Sequence, residues 1–147
     1  MTSRQIKGNI NFNKLDENLL FLLGHVFEQA FLIDKITSQE IGIFTFDSDP
    51  TCGLIGTNND WCVIGGDILI VKTFFDNTLR TLPLHSINAL KKIDDYKVQI
   101  LIDPWSEKAS IWQLEIDINN PAKPINLFKI KDLPDYKDKP YSENILW

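Results

Sequence analysis

Two cysteines, Cys52 and Cys62, and two histidines, His25 and His85, make up the thiols and imidazoles of this 147-residue chain. Cysteine catalysis needs a thiol beside an imidazole that a third group orients. The spacing of these four residues brings no such set together. His25 falls among Asn18, Glu28 and Gln29, and His85 lies in a Pro-Leu-His-Ser segment, so both read as surface residues. Asp47, Asp49 and Thr51 are spaced like the opening of a calcium loop, which requires Gly at its sixth position and Glu at its twelfth. Cys52 and Asn58 stand there instead. There is no Cys-x-x-Cys pair, phosphate-binding glycine loop, dinucleotide fingerprint or nucleophile elbow. Asp and Glu are abundant, but abundance designates no acid–base pair. The expectation is a protein without catalytic residues, cofactor or metal.

The residue pattern that remains is one of charge. Between Leu15 and Val71, nine carboxylates (Asp16, Glu17, Glu28, Asp34, Glu40, Asp47, Asp49, Asp60, Asp67) meet the single base Lys35, a net of −8 against −5 for the whole chain. From Glu40 to Val71 there are five acids and no Lys or Arg. A field this one-sided steers and holds basic partners. A sequence pI near 4.9 argues against a general nucleic-acid binder, which must neutralise phosphates with Lys and Arg. Trp61 follows a polar turn and Trp105 lies between Asp103 and Glu107, where exposure would make either an anchor for a protein or a sugar. The candidate partner-binding residues are therefore Asp47, Asp49, Asp60 and Asp67 with Trp61 beside them, and Asp103, Trp105 and Glu107 as a second patch. The alternative from a different class is a carbohydrate-binding module that stacks sugars on Trp61, Trp105 and Trp147.

These residues need elements to position them. Leu19, Leu22, Leu23, Val26, Ala30 and Ile33 recur at three- and four-residue steps, which predicts a helix over Asp16 to about Ile33, capped by Asn13 or Asp16. Beyond Ser38 the texture changes to short apolar runs divided by turn residues: Ile41 to Phe46, Gly53 to Gly56, Trp61 to Ile64 and Ile68 to Phe75 read as strands. Connections this short favour antiparallel neighbours. Leu79 to Leu84 and Ile87 to Ile93 are ambiguous, the first because Pro83 confines it to an edge or loop. Tyr96 to Asp103 and Ala109 to Asp117 alternate around Pro104-Trp-Ser-Glu-Lys108 and form the clearest hairpin, with the Trp112, Leu114 and Ile116 side buried. Ile125 to Ile130 adds a last strand, and Tyr136, Tyr141 and Trp147 anchor the Pro-rich tail. No fixed-period repeat is present, which removes the main support for a propeller or solenoid.

The expected fold is α+β over one domain, residues 1–147: the long N-terminal helix packed on a mainly antiparallel, twisted sheet or sandwich. Its expected core is Leu22, Val26, Phe27, Ile43, Val63, Leu69, Val71, Ile100, Trp112 and Leu114. The opening MTSRQIKGNINFNK lacks the apolar run of a signal peptide, and no stretch approaches the ~18 apolar residues of a membrane span. The expected compartment is the cytoplasm, which keeps Cys52 and Cys62 reduced.

The segments Leu101-Ile-Asp-Pro-Trp-Ser-Glu-Lys-Ala-Ser-Ile-Trp112 and Tyr141-Ser-Glu-Asn-Ile-Leu-Trp147, on a small acidic chain without a catalytic signature, resemble the immunity proteins that bacteria keep against contact-dependent-inhibition and polymorphic toxins. The resemblance is one of type across the whole chain and carries over no residue roles. It implies a cytosolic binder that covers the active site of a cognate toxin, often a basic nuclease; the chain is further expected to be a monomer with no nucleic acid or membrane as partner.

Overall fold

The computed structural model describes residues 8–141 and 144–147, so the first seven residues and Ser142-Glu143 of the closing segment lie outside the described residues. Twelve strands follow one another: β1 Phe12–Glu17, β2 Phe21–Val26, β3 Gln29–Asp34, β4 Glu40–Thr45, β5 Cys52–Ile55, β6 Trp61–Gly65, β7 Ile68–Thr73, β8 Thr78–His85, β9 Ile87–Asp94, β10 Lys97–Ile102, β11 Ser110–Ile116 and β12 Ile125–Asp132. A single 3-10 turn, Pro134–Tyr136, is the only helical element among the described residues. They pair as three antiparallel four-stranded meanders, β1 to β4, β5 to β8 and β9 to β12.

The expected N-terminal helix does not form, and the α+β class is corrected to all-β. Asp16 to Ile33 is instead divided among β1, β2 and β3, with Leu22 opposite Ile33 and Leu23 opposite Leu32. Both faces of this sheet are apolar. Phe21, Leu23, Ala30 and Leu32 face the second sheet, while Leu22, Val26, Phe31 and Ile33 face away. A two-faced strand loses its period-2 contrast, and the resulting continuous apolar run satisfies helical spacing by coincidence. The β2–β3 reversal also has no glycine signal: Phe27 itself takes the left-handed conformation, φ 49°, with 55% of its surface exposed. Phe27 is accordingly not a core residue, whereas Leu22, Ile43, Val63, Leu69, Val71, Ile100 and Leu114 are buried and Val26 and Trp112 half-buried.

The sheets stack face to face. Leu23, Leu32, Ile43 and Phe46 of the first pack against Ile55, Cys62, Ile64 and Ile70 of the second. Trp61, Val63, Leu69, Val71 and Leu84 then pack against Ile87, Val98, Ile100, Leu114 and Ile116 of the third. The middle sheet is thus covered on both sides, and β6 is buried throughout. The first strands of the sheets, β1, β5 and β9, lie next to one another. Sequential four-stranded meanders whose first strands line up at the inner edge have the arrangement of β-propeller blades. The repeat excluded at the level of sequence is present in structure, with Phe12, Cys52 and Ile87 opening equivalent units roughly 35 to 40 residues apart. The two ambiguous segments are both strands, and Pro83 stands in β8, at a sheet edge. The Tyr96 to Asp117 hairpin forms with Ile100 opposite Trp112. The far face of the third sheet, Leu101, Ala109, Ile111 and Leu133, is covered by Tyr136, Ile145 and Trp147 of the tail. Tyr141 is exposed and meets Trp105 edge to face, ring centroids 5.0 Å apart.

Candidate functional site

Because neighbouring strands are antiparallel, successive connections alternate between the two ends of the stack. Backbone hydrogen bonds chain one set together: Phe46 N to Glu28 O at 2.9 Å, Thr51 N to Gly65 O at 2.8 Å, Ile87 N to Gly66 O at 2.8 Å, Ser86 N to Asp67 O at 3.3 Å and Asp103 N to Ser86 O at 3.0 Å. Six of the eight sequence-derived candidates, Asp47, Asp49, Asp67, Asp103, Trp105 and Glu107, therefore share this end.

The other two belong to the opposite end. Asp60 accepts a hydrogen bond from the Tyr96 hydroxyl at 2.8 Å and from the Phe74 backbone N–H at 2.9 Å. Trp61 is 0% exposed and its indole N–H donates to the Asp95 carbonyl at 3.0 Å. An anchor role for Trp61 is corrected on this ground: a fully buried, satisfied indole offers no surface to a protein or a sugar. Trp147 is tied to the body as well, with the Lys91 ammonium 4.3 Å from its ring centre.

Lys35, the one base of the acidic span, donates to Glu17 at 2.8 Å and to the Asn18 carbonyl at 3.0 Å, far from Asp47 and Asp67. The same pairing holds the Glu17 carboxyl below its usual range. Arg80 is likewise engaged away from the acidic loops, on Thr73 and Asp76. The first and second sheets thus contribute Glu28, Asp47, Asp49 and Asp67 to the shared end with no base among the loops that carry them. The third sheet's part is mixed. Glu107 pairs with Lys137 at 3.4 Å, and Asp132 with Lys129 at 3.0 Å. Asp103 turns one oxygen back on the Trp105 amide at 3.2 Å.

Two recesses open here, and His85 lines both. The smaller, about 210 Å³, is walled by Phe44, Thr45, Asp47, Asp67 and Ile68. The larger, about 720 Å³, takes in Asp103, Glu107, Lys108, Trp112 and Lys129. His85 Nδ1 lies 3.2 Å from the Asp67 carbonyl oxygen. Asp67 Oδ1 is shielded from solvent and has no hydrogen-bond partner, and the same is true of Trp105 Nε1. Sequence reasoning missed Phe44, Ile68 and His85 as walls, because nothing in a single strand's pattern shows which residues of separate sheets meet at a rim.

Nucleophilic chemistry is poorly served. Cys52 and Cys62 are free thiols, and burial pushes the Cys62 thiol up to about 12 and raises that of Cys52. Neither is a thiolate near neutral pH. His25 is buried rather than on the surface, its Nδ1 2.8 Å from the Phe27 carbonyl. Among the described residues no three His, Cys, Asp or Glu side chains are grouped to hold a metal, and no helix is long and apolar enough to cross a membrane.

No family model and no curated protein matches this chain. Among solved structures its fold is similar to the N-terminal domain of Nup159, with a TM-score of 0.55 and 10% identity over 90% of this chain and 34% of that one. It is also similar to a chain of the S. cerevisiae complex of Dbp5 with Nup159, Gle1, IP6 and ADP, with a TM-score of 0.50 and 11% identity over 81% of this chain and 30% of that one. The likeness is to β-propeller-like domains and is one of fold alone; this chain spans about a third of the length of the chains it matches.

Proposed function

We propose that this protein is a binding module that takes a basic protein partner at its acidic end, and that it acts as a cytoplasmic, monomeric immunity protein against a cognate toxin such as a nuclease. The observation that carries the reading is the gathering of Asp47, Asp49 and Asp67 on loops of one end while Lys35 is drawn off to the other. A nuclease holds phosphates with Lys and Arg, so its cleft is cationic, and a rigid acidic surface matches that charge. The raised thiol pKa values leave neither cysteine a nucleophile near neutral pH. The sugar-binding alternative loses Trp61 to burial and gains no observation in exchange. The test is co-expression with the toxin encoded beside this protein, comparing wild type with Asp47→Lys and Asp49→Lys. Protection and a salt-sensitive complex, both weakened by the reversals, support the reading. Absence of both with wild type rejects it.

A further inference from the structure

We infer that the segment after β12 is a displaceable cap on the third sheet, and that the face beneath it is an interface for a second copy of this chain; the inference stands apart from the reading of the acidic end. The two outward faces of the stack are closed in different ways. On the first sheet the strands close themselves: Phe12 and Phe31 pack on Leu22 and Ile33, and the Phe12 ring lies so near Gly24 that a β-carbon there would clash with it. On the third sheet Leu101, Ala109 and Ile111 are 4% exposed or less, and what lies across them is Tyr136, Ile145 and Trp147. That cover is not strand-paired past its start, where the Leu133 N–H donates to the Ala109 carbonyl at 2.9 Å. Beyond it, side chains hold the segment: Lys91 donates to the Trp147 carbonyl and sits 4.3 Å from the indole centre, and Leu146 N–H donates to the Tyr136 hydroxyl at 2.9 Å. Its outer side, Asp135, Lys137, Asp138 and Lys139, is exposed. A polar-backed cover over an apolar repeat face is what keeps a stacked array from associating with itself.

The capped face is complementary to itself. Val98, Ile100 and Leu114 point into the core between the second and third sheets, so by alternation Lys97, Gln99 and Leu101 of β10 and Ile111, Gln113 and Glu115 of β11 share the outward side. The antiparallel register sets Leu101 beside Ile111, Gln99 beside Gln113 and Lys97 beside Glu115. A two-fold axis along the strands, between β10 and β11, lays β10 of one copy over β11 of the other at the same level. Every row then meets its match: Leu101 faces Ile111 of the copy, Gln99 faces Gln113, and Lys97 faces Glu115, each twice by symmetry. The strands of the two sheets run aligned, as packed sheets do. Lys97 is available for this, since its ion pair with Asp94 is long, 3.8 Å, and exposed. A partner of one charge sign would leave either Lys97 or Glu115 facing its like.

The experiment measures mass in solution by light scattering over a concentration series, with an unfolding curve for every variant. Wild type is expected to be a monomer, and Ile145→Asp combined with Trp147→Ser, which releases the cap, a concentration-dependent dimer. In that released background Lys97→Glu or Glu115→Lys alone sets like charges at both symmetry-related contacts and is expected to weaken the dimer at least tenfold. Mixing the two reversed chains is expected to restore it, because both contacts of the mixed pair again join opposite charges. Lys91→Ala, which loosens Trp147 and spares the Leu101 and Ile111 row, is the second variant should the double substitution fail to fold, with weaker self-association expected. A folded released chain that stays monomeric at the highest concentration, a wild-type dimer as strong as that of the released chain, or a dimer indifferent to both reversals or not restored by mixing overturns the inference.

Discussion

The Thr51 hydroxyl donates to the carbonyl of Ile87 across 2.7 Å, with the Gly65 carbonyl at 3.2 Å, so one side chain fastens the start of β5 to the end of β6 and to the start of β9. Thr51 Oγ1 thereby ties the second sheet to the third at the edge of the acidic end.

Thr51→Val keeps the shape and removes the donor. It is expected to cost about 1 kcal/mol, the net worth of a hydrogen bond whose acceptor is left partly desolvated. The measurement is a fall in the urea midpoint with an unchanged slope.

Phe27→Asn is expected to stabilise the fold by about 1 kcal/mol. The left-handed conformation at Phe27 strains an aromatic residue but suits asparagine, and its exposed ring contributes little burial. A helix through this segment would make the same change destabilising, so the sign of the shift in thermal midpoint decides between the two architectures.

Alkali is expected to act through Cys62. Its thiol ionises at 9.0 when unfolded and only at about 12 in the folded protein, where burial disfavours the thiolate. A folded pKa above the unfolded one gives stability that is complete below pH 9 and declines as the pH rises towards 12. Unfolding curves recorded from pH 8 to 11 should show the decline, and Cys62→Ala should flatten it. In the native state Cys62 should resist alkylation at pH 8, and substitution of both cysteines should leave partner binding intact.

Asp47→Lys and Asp60→Lys separate the two ends. Reversal at Asp47, exposed on the acidic side, is expected to slow association with a basic partner severalfold and to reduce its dependence on salt while leaving stability unchanged. Reversal at Asp60 breaks the Tyr96 hydrogen bond and is expected to lower stability with little effect on the association rate. Stopped-flow association at two salt concentrations, beside a denaturation curve, reads both.

The hairpin around Pro104-Trp-Ser-Glu-Lys108 was legible because β10 and β11 alternate and the turn chemistry lies between them. Residues 16–33 were not, because Leu22 and Leu23 are both buried, one on each face, and Phe27 occupies the turn position where glycine or asparagine would have announced a reversal. Equivalent units open at Phe12, Cys52 and Ile87 at unequal spacings, so the repeat left no fixed period in the sequence. The acidic loops could be read from their turn residues, yet Asp60 was grouped wrongly with Asp67. The two stand in consecutive connections, and consecutive connections of a meander point opposite ways.

The burial of β6 on both sides has a consequence for how the molecule opens. A stack of three sheets in which the middle one packs on both of the others loosens from its ends in the manner of a repeat array, with the centre the last to yield. The amides of Cys62, Val63 and Ile64 can exchange with solvent only when an entire flanking sheet has left. Exchange protection should therefore peak in β6 and descend in both directions along the chain, and the loop of Asp47 and Asp49, which joins the first sheet to the second, would register the detachment of the first sheet before the middle one had begun to melt.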